Sequence, residues 1–148
     1  MKIKEITEVQ ESLVSVLVVD DLELWQAFVR TRLGEEPNLQ IVSTASDGLE
    51  AVQKALKLQP DLILLDVSLP KLNGIEAARQ IRKFAPKSKI LFVSSNSDPD
   101  VVRAAFSAGG LGYVLKSEAA QSLMAGIEAV LLGKRFISCC LMGLEDLT

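Results

Sequence analysis

The stretch Pro60-Asp-Leu-Ile-Leu-Leu-Asp66 decides how this chain is expected to fold. Its four central residues, Leu62–Leu65, are all apolar, whereas a strand with one face in water alternates apolar and polar residues. Such a continuous run is typical of a strand buried on both faces, as in a parallel sheet covered by helices. Asp66 ends the run, and no helix starts directly after it for this carboxylate to cap, because Pro70 follows. We therefore expect a layered α/β fold with a functional aspartate at a strand end.

Four more apolar runs occur, most of them also near-continuous: Val16-Leu-Val-Val19, Leu39-Gln-Ile-Val42, Ile90-Leu-Phe-Val93 and Tyr113-Val-Leu115. Apolar residues with helical spacing follow the runs, most weakly in the third segment. They are Trp25, Phe28 and Val29; Leu49, Val52 and Leu56; Ile75, Ala78 and Ile81; Val102, Ala105 and Phe106; and Leu123, Ile127, Val130 and Leu131. A strand-helix unit repeated five times at about 25-residue spacing predicts one doubly wound, five-stranded parallel sheet with five helices, a three-layer sandwich.

One compact domain is expected over residues 13–132, because 148 residues with 49% hydrophobic side chains can bury one core. Residues 1–12 are interpreted as an N-terminal extension, and residues 133–148 as a C-terminal tail or truncated linker. In the tail, Leu141, Leu144 and Glu145 are placed to form a turn or two of helix.

Composition excludes several classes of protein. The net charge of −3 favours neither nucleic acid nor an anionic membrane, and a basic partner is the milder expectation. No signal peptide and no run of about 20 apolar residues is found, so we expect a soluble, cytoplasmic protein with no membrane partner. The two cysteines, Cys139 and Cys140, are adjacent, which argues against a secreted disulfide framework and favours a role as small apolar residues. The absence of histidine excludes a Ser-His-Asp triad, histidine-ligated zinc and a phosphohistidine carrier.

Polar residues follow four of the predicted strands. They are Asp20 and Asp21, Asp66, Ser94 and Ser95, and Lys116. In a doubly wound sheet, ligands bind beyond the carboxyl ends of the strands, so these side chains are expected to converge. Clustered carboxylates repel one another unless one is protonated or a cation is bound, and a hard divalent ion such as Mg²⁺ or Mn²⁺ suits oxygen ligands. The sequence thus predicts a metal site.

The same set of residues suits phosphoryl transfer, which needs positioning and charge neutralisation. We predict that Asp66 is the nucleophile and forms an aspartyl phosphate. Asp20 and Asp21 would hold the metal ion, directly or through water. Lys116 would pair with phosphoryl oxygens, and Ser94 would donate a hydrogen bond to another of them.

The chain resembles the response-regulator receiver domain of two-component systems over residues 12–132. The motifs are Val18-Val-Asp-Asp21, Pro60-Asp-Leu-Ile-Leu-Leu-Asp66, Leu69-Pro70 with Gly74, Val93-Ser94-Ser95 and Gly112-Tyr-Val-Leu-Lys116. Each motif alone is weak, but the ordered set is specific. The resemblance implies a flavodoxin-like sheet of order 2-1-3-4-5.

Site roles also follow from the resemblance. It implies an acidic pair at Asp20 and Asp21, the phosphoacceptor at Asp66, and a further metal ligand in the backbone carbonyl of Ser68. It implies a switch pair, Ser94 and Tyr113, and a phosphate-pairing lysine at Lys116. Phosphorylation would alter the face of the fourth helix, fifth strand and fifth helix, which meets a partner or a second copy. The chain would not be an enzyme on other molecules, although it would catalyse its own phosphorylation and dephosphorylation.

The partners implied are a sensor histidine kinase or a phosphotransfer protein. The segment Gly133-Lys-Arg-Phe-Ile-Ser138 resembles receivers that precede a helix-turn-helix domain, so we expect DNA contact only through an output domain outside this chain. Two departures from the family pattern stand out: Ser117 replaces the proline that many members have after the lysine, and Ser94 replaces threonine. Both are compatible with function.

Other interpretations remain open. Asp21 could merely cap the helix that begins near Leu22, and Tyr113 could be simple half-buried packing. Ser94 and Lys116, taken alone, would be an ordinary turn serine and a solvated lysine. At the level of the whole chain, the alternatives are a phosphorylation-independent scaffold or dimerisation module, and a flavin binder of similar architecture. Asp20 and Asp21 argue against the latter, because they would repel a flavin phosphate.

Overall fold

A computed structural model describes residues 13–138 and shows strands alternating with helices. The strands are β1 (Val14–Val19), β2 (Leu39–Ala45), β3 (Leu62–Leu65), β4 (Lys89–Ser94), β5 (Gly112–Leu115) and β6 (Phe136–Ile137). The helices are α1 (Glu23–Leu33), α2 (Gly48–Leu58), α3 (Gly74–Phe84), α4 (Pro99–Ser107) and α5 (Ala119–Leu131). A 3₁₀ turn, Lys116–Glu118, joins β5 to α5.

All strand pairs in the sheet are parallel, and the order is β2-β1-β3-β4-β5-β6. The predicted flavodoxin-like order 2-1-3-4-5 is therefore confirmed. Within residues 13–138 the sheet has six strands, however, where the sequence predicted five, because Phe136–Ile137 of the predicted tail pairs with β5. A two-residue strand is too short to give a periodic signal. Cys139, Cys140 and the helical turn expected at Leu141, Leu144 and Glu145 lie outside the described residues.

β3 shows why its apolar run is continuous. Leu62 and Leu64 belong to the core cluster under α1 and α5, and Ile63 and Leu65 belong to the cluster under α2, α3 and α4. Each of the four side chains is at most 2% exposed. Since successive side chains of a strand point to opposite faces, both faces of the sheet must be apolar where helices cover both. The three-layer sandwich is thus confirmed.

α2 forms where the sequence predicts a helix, but with a different buried face. Leu49 and Leu56 remain about half exposed, at 46% and 52%, whereas Ala51 and Ala55 are fully buried. These alanines share the core cluster with Ala77 of α3, and small side chains allow the two helices to approach closely. Apolar spacing predicted the helix correctly, but it could not show that alanines form its contact face.

Gly74 lies against the backbone of the loop that carries Asp66. Its N–H donates to the carbonyl of Val67 at 2.7 Å. A Cβ added there would lie 1.8 Å from the Asp66 carbonyl oxygen, a backbone atom that cannot rotate aside. Gly74 therefore fixes the approach of the α3 N-terminus to the predicted acceptor.

We expect Gly74→Ala to destabilise the protein by at least about 3 kcal/mol, the upper end of overpacking costs, because backbone must move. Gly133→Ala is the matched control: its φ is +79°, and nothing lies within 4 Å of an added Cβ, so it adds strain without a clash. Its cost should be about 1–2 kcal/mol. Urea unfolding measures both, and equal losses in the two variants would contradict this account of Gly74.

Candidate functional site

Neighbouring strands bring Asp20 and Asp66 together. β1 and β3 pair with Val19 opposite Leu65, so the aspartates that follow them lie side by side. The Asp66 N–H donates to the Val19 carbonyl at 3.1 Å, and the Asp20 N–H donates to the Ala45 carbonyl at 3.0 Å. The ladder of the sheet therefore holds both backbones. Both residues are buried, at 1% exposure for Asp20 and 5% for Asp66.

Asp20, Asp21 and Asp66 form the acidic cluster that the sequence predicts, with one carboxylate oxygen of each within 4.8 Å of the others. Asp21 is exposed, whereas the other two are buried. Asp20 Oδ1 accepts a hydrogen bond from the Leu22 N–H at 2.9 Å. Asp20 Oδ2 is buried and accepts no hydrogen bond from any residue in the range 13–138.

Lys116 lies against the two buried carboxylates. Its Nζ is 2.6 Å from Asp20 Oδ2 and 3.3 Å from Asp66 Oδ2, and its side chain is only 12% exposed. The contact with Asp20 is an ion pair at short distance whose direction does not satisfy hydrogen-bond geometry. Lys116 reaches the site because it starts the 3₁₀ turn after β5. Three carboxylates against one ammonium leave an excess of negative charge.

Burial raises the pKa of the Asp66 carboxyl group above its ordinary value. The Lys116 ammonium lowers this pKa, and the Asp20 carboxylate adds to the rise. The Lys116 ammonium therefore does not fully compensate the cost of burying ionised Asp66 next to Asp20. A hard divalent cation fits the donor set, because it would neutralise the excess negative charge and would occupy the free lone pairs of Asp20 Oδ2. We find no comparable acidic cluster elsewhere among residues 13–138.

Ser94 and Tyr113 both hold the loop after β4. Ser94 is 1% exposed, and its hydroxyl accepts from the Asn96 N–H at 3.1 Å. Tyr113 is fully buried, and its phenol donates to the Asn96 carbonyl at 2.6 Å. The Tyr113 side chain therefore points inward, towards the loop after β4. The interpretation of Tyr113 as half-buried packing is wrong in degree, because the residue is fully buried.

The buried phenol predicts a pH dependence. Burial raises the pKa of Tyr113, and a hydrogen bond with Ser94 opposes the rise. A folded-state pKa above the unfolded value, about 10, stabilises the protein below that pH, and this contribution is lost as pH rises through the folded pKa. Tyr113 is the only tyrosine, so phenolate absorbance of the folded protein should appear only above the ordinary phenol pKa of about 10, and Tyr113→Phe should weaken the alkaline loss of stability. Phenol ionisation at about pH 10 in folded protein would contradict this.

The structure places several residues that sequence patterns could not. Asp21 does not cap α1: the residue before that helix is Leu22, with no side-chain cap, so that alternative is wrong. Gln26 Nε2 donates to the Asp20 carbonyl at 2.6 Å. The Trp25 ring lies beside Lys116, with Nζ 5.1 Å from its centroid. Ser68 is exposed in the loop after Asp66, and its carbonyl remains a predicted metal ligand.

Residues 16–128 match the family model described as the response regulator receiver domain. The chain belongs to this family. It is a receiver domain of two-component response regulators, and the comparisons give no support to the alternative of a phosphorylation-independent scaffold or dimerisation module. Membership covers most of the chain, but it does not by itself assign the role of any residue.

The receiver domain resembles both curated relatives and solved structures. It is 33% identical to the transcriptional regulatory protein DegU of Brevibacillus brevis, over 88% of this chain and 55% of that protein. It is 34% identical to LiaR of Bacillus subtilis, over 82% of this chain and 58% of LiaR. A LuxR-family response regulator from Aurantimonas sp. SI85-9A1 superposes with a TM-score of 0.85 at 30% identity, covering 90% and 96% of the two chains. The chain thus spans a little over half the length of these curated relatives. No helix of the described part is long and apolar enough to cross a membrane.

Proposed function

We propose that Asp66 is the residue of this receiver domain that accepts a phosphoryl group, in a reaction that depends on Mg²⁺. One observation carries the proposal: Asp66 and Asp20 are buried side by side, with the Lys116 ammonium against both and an Asp20 oxygen that lacks a hydrogen bond. Structural carboxylates in a core are normally fully bonded. A buried acidic site whose negative charge is incompletely compensated is better explained as a binding site for a cation and a phosphoryl group than as a structural element.

The chemistry assigns a part to each side chain. An Asp66 oxygen forms a bond to phosphorus as the bond from phosphorus to the leaving-group atom breaks. The attacking oxygen, the phosphorus and the leaving atom, which is an oxygen or a nitrogen of the donor, lie in line. The side chains of Asp20, Asp21 and Asp66, with the Ser68 carbonyl, would hold Mg²⁺ or Mn²⁺, which would neutralise charge on the phosphoryl group. Lys116 pairs with one phosphoryl oxygen, and the Ser94 hydroxyl donates to another.

The switch follows from the bonds to Asn96. If the Ser94 hydroxyl turns to a phosphoryl oxygen, the Asn96 N–H loses its acceptor. The Asn96 carbonyl is held by Tyr113, so a change in this loop reaches α4, which follows it, and β5, which carries Tyr113. We infer that the face of α4, β5 and α5 changes its population of states and binds a partner or a second copy.

The proposed phosphoryl donor is a histidine kinase or a phosphotransfer protein. The proposed target of the switched face is a second copy of the chain or an output domain. Two relatives, DegU and LiaR, are transcriptional regulatory proteins by name, which supports an output through DNA contacted by another domain. We propose that this chain itself does not bind nucleic acid, and that it acts in the cytoplasm.

Metal removal tests this proposal. With acetyl phosphate and Mg²⁺, the intact mass should rise by one phosphoryl group; with EDTA in place of Mg²⁺, the rate should fall at least about 100-fold, as when a main charge-stabilising group is lost. Equal phosphorylation in EDTA would contradict a metal-dependent site. The scaffold alternative predicts no Mg²⁺ binding, and titration followed through Trp25, the only tryptophan, distinguishes it.

A further inference from the structure

We propose that Trp25 is a positioning residue for Lys116: its indole face holds the ammonium where it meets the phosphoryl group. This inference rests on the proposed phosphoryl-acceptor function. It concerns a residue on α1, remote in sequence from the turn that carries Lys116.

Among residues 13–138, the ammonium of Lys116 lies near two carboxylates and one aromatic ring. The carboxylates are those of Asp20 at 2.6 Å and Asp66 at 3.3 Å, and the ring is that of Trp25, at 5.1 Å from Nζ to centroid. This distance is within the range of a cation–π interaction, and tryptophan is the strongest partner for one. Trp25 is itself steadied, because it packs partly buried against the core cluster below α1. The exposed Phe28 ring lies beside it, with ring centroids 5.0 Å apart.

The Trp25 indole is suited to hold the Lys116 ammonium because it carries no net charge. The carboxylates draw a flexible lysine inward, towards oxygens that are also the proposed metal ligands. An indole face attracts the ammonium from another side without adding a negative charge that would repel a phosphoryl anion. It also offers no oxygen to compete for the metal. Lys116 can therefore stay ordered at the rim of the site when the carboxylates take other partners.

A purely structural role for Trp25 is the competing explanation. Trp25 lines an open, mainly apolar surface groove of about 650 Å³ together with Leu22, Leu24 and Phe28, with Lys116 at its edge, so its loss removes packing as well. Packing alone predicts lower stability with an unchanged rate of phosphorylation. Positioning predicts a lower rate that depends on the presence of Lys116, with an unchanged requirement for Mg²⁺.

The test measures phosphorylation of the intact chain by acetyl phosphate across a Mg²⁺ titration. At saturating Mg²⁺, Trp25→Leu should lower the maximal rate about 3- to 30-fold, the range of cation–π strengths expressed as a rate. Trp25→Phe should recover most of the rate, because it retains a ring. The Mg²⁺ concentration for half-maximal rate should be unchanged in both. Phe28→Leu, which removes the neighbouring ring but does not touch Lys116, is the matched control and should keep the wild-type rate.

A double-mutant cycle separates positioning from packing. In a Lys116→Met background, Trp25→Leu should cause no further loss of the residual rate. An equal fold-loss in both backgrounds, or equal rates for Trp25→Leu and Phe28→Leu, would overturn the inference. If wild-type protein itself is not phosphorylated, the proposed function fails with it; a phosphorylated wild type with an unaffected Trp25→Leu variant overturns the inference alone.

A second readout needs no change at Trp25 and no phosphorylation. Because Trp25 is the only tryptophan, its fluorescence reports one environment. Lys116→Met should change the emission of Trp25 in the metal-free protein, whereas Lys87→Met, at an exposed site, should not. An emission spectrum unchanged by Lys116→Met would show that the ammonium does not engage the ring, and would overturn the inference even if Trp25→Leu failed to fold.

Discussion

Replacing Asp66 by asparagine is expected to abolish phosphoryl acceptance and, at the same time, to stabilise the metal-free protein. Asparagine offers no carboxylate to form the acyl phosphate. The gain in stability follows from the raised pKa of Asp66, whose main cause is burial. A raised folded-state pKa means that stability is highest below the unfolded pKa and is lost as pH rises through the folded value, so at neutral pH the ionised carboxylate is a burden.

The size of that gain should be on the order of 1 kcal/mol, the scale of an imperfectly compensated buried polar group. It should shrink when pH falls below the ordinary aspartate pKa, because Asp66 is then protonated in both states. Asp100→Asn is the control, since Asp100 is an exposed carboxylate on α4, and it should change stability by less than about 0.5 kcal/mol. Loss of stability in Asp66→Asn at neutral pH would contradict this account of the site.

Lys116→Met should have the opposite effect on stability and a large effect on the rate. Without the ammonium, Asp20 and Asp66 are buried together with no cation, and breaking a buried pair costs about 3–5 kcal/mol. Phosphorylation by acetyl phosphate should slow by about 10²- to 10³-fold, the usual cost of removing one charge-stabilising donor.

Mg²⁺ should rescue stability but not rate in Lys116→Met. A cation between the carboxylates replaces the lost compensation, and at 100 times its dissociation constant a ligand adds about 2.7 kcal/mol. Thermal or urea unfolding with Mg²⁺ and with EDTA measures this, with Lys87→Met as an exposed-lysine control. A variant that is as stable as wild type in EDTA would show that the lysine does not compensate these carboxylates.

The strands, and the residues that cluster at their carboxyl ends, could be predicted from the sequence. Continuous apolar runs identified β3 and its neighbours, and parallel strands end at one edge, so the clustering of Asp20, Asp66 and Lys116 could be predicted without coordinates. The apolar run of β3 ends at Leu65, and this end marks Asp66 as the aspartate at the edge of the sheet.

The parts that could not be predicted depend on side-chain direction and on contacts between distant elements. The approach of Trp25 to Lys116 requires the relative placement of α1 and the turn after β5, which no local pattern encodes. The inward position of Tyr113 is a rotamer choice stabilised by a backbone carbonyl in another loop. β6 forms by pairing with β5, and directly after it the Ser138 hydroxyl accepts a hydrogen bond from the Leu115 N–H at 2.7 Å. β6 is too short to have a sequence pattern of its own.

The central claim is that Asp66 accepts a phosphoryl group, and the intact mass of the protein tests it most directly. Wild type and Asp66→Asn are treated alike with Mg²⁺ and acetyl phosphate, and both are first shown to be folded. We predict a mass increase of one phosphoryl group in wild type and an unchanged mass in Asp66→Asn. An unmodified wild type, or the same increase in both proteins, would contradict the claim.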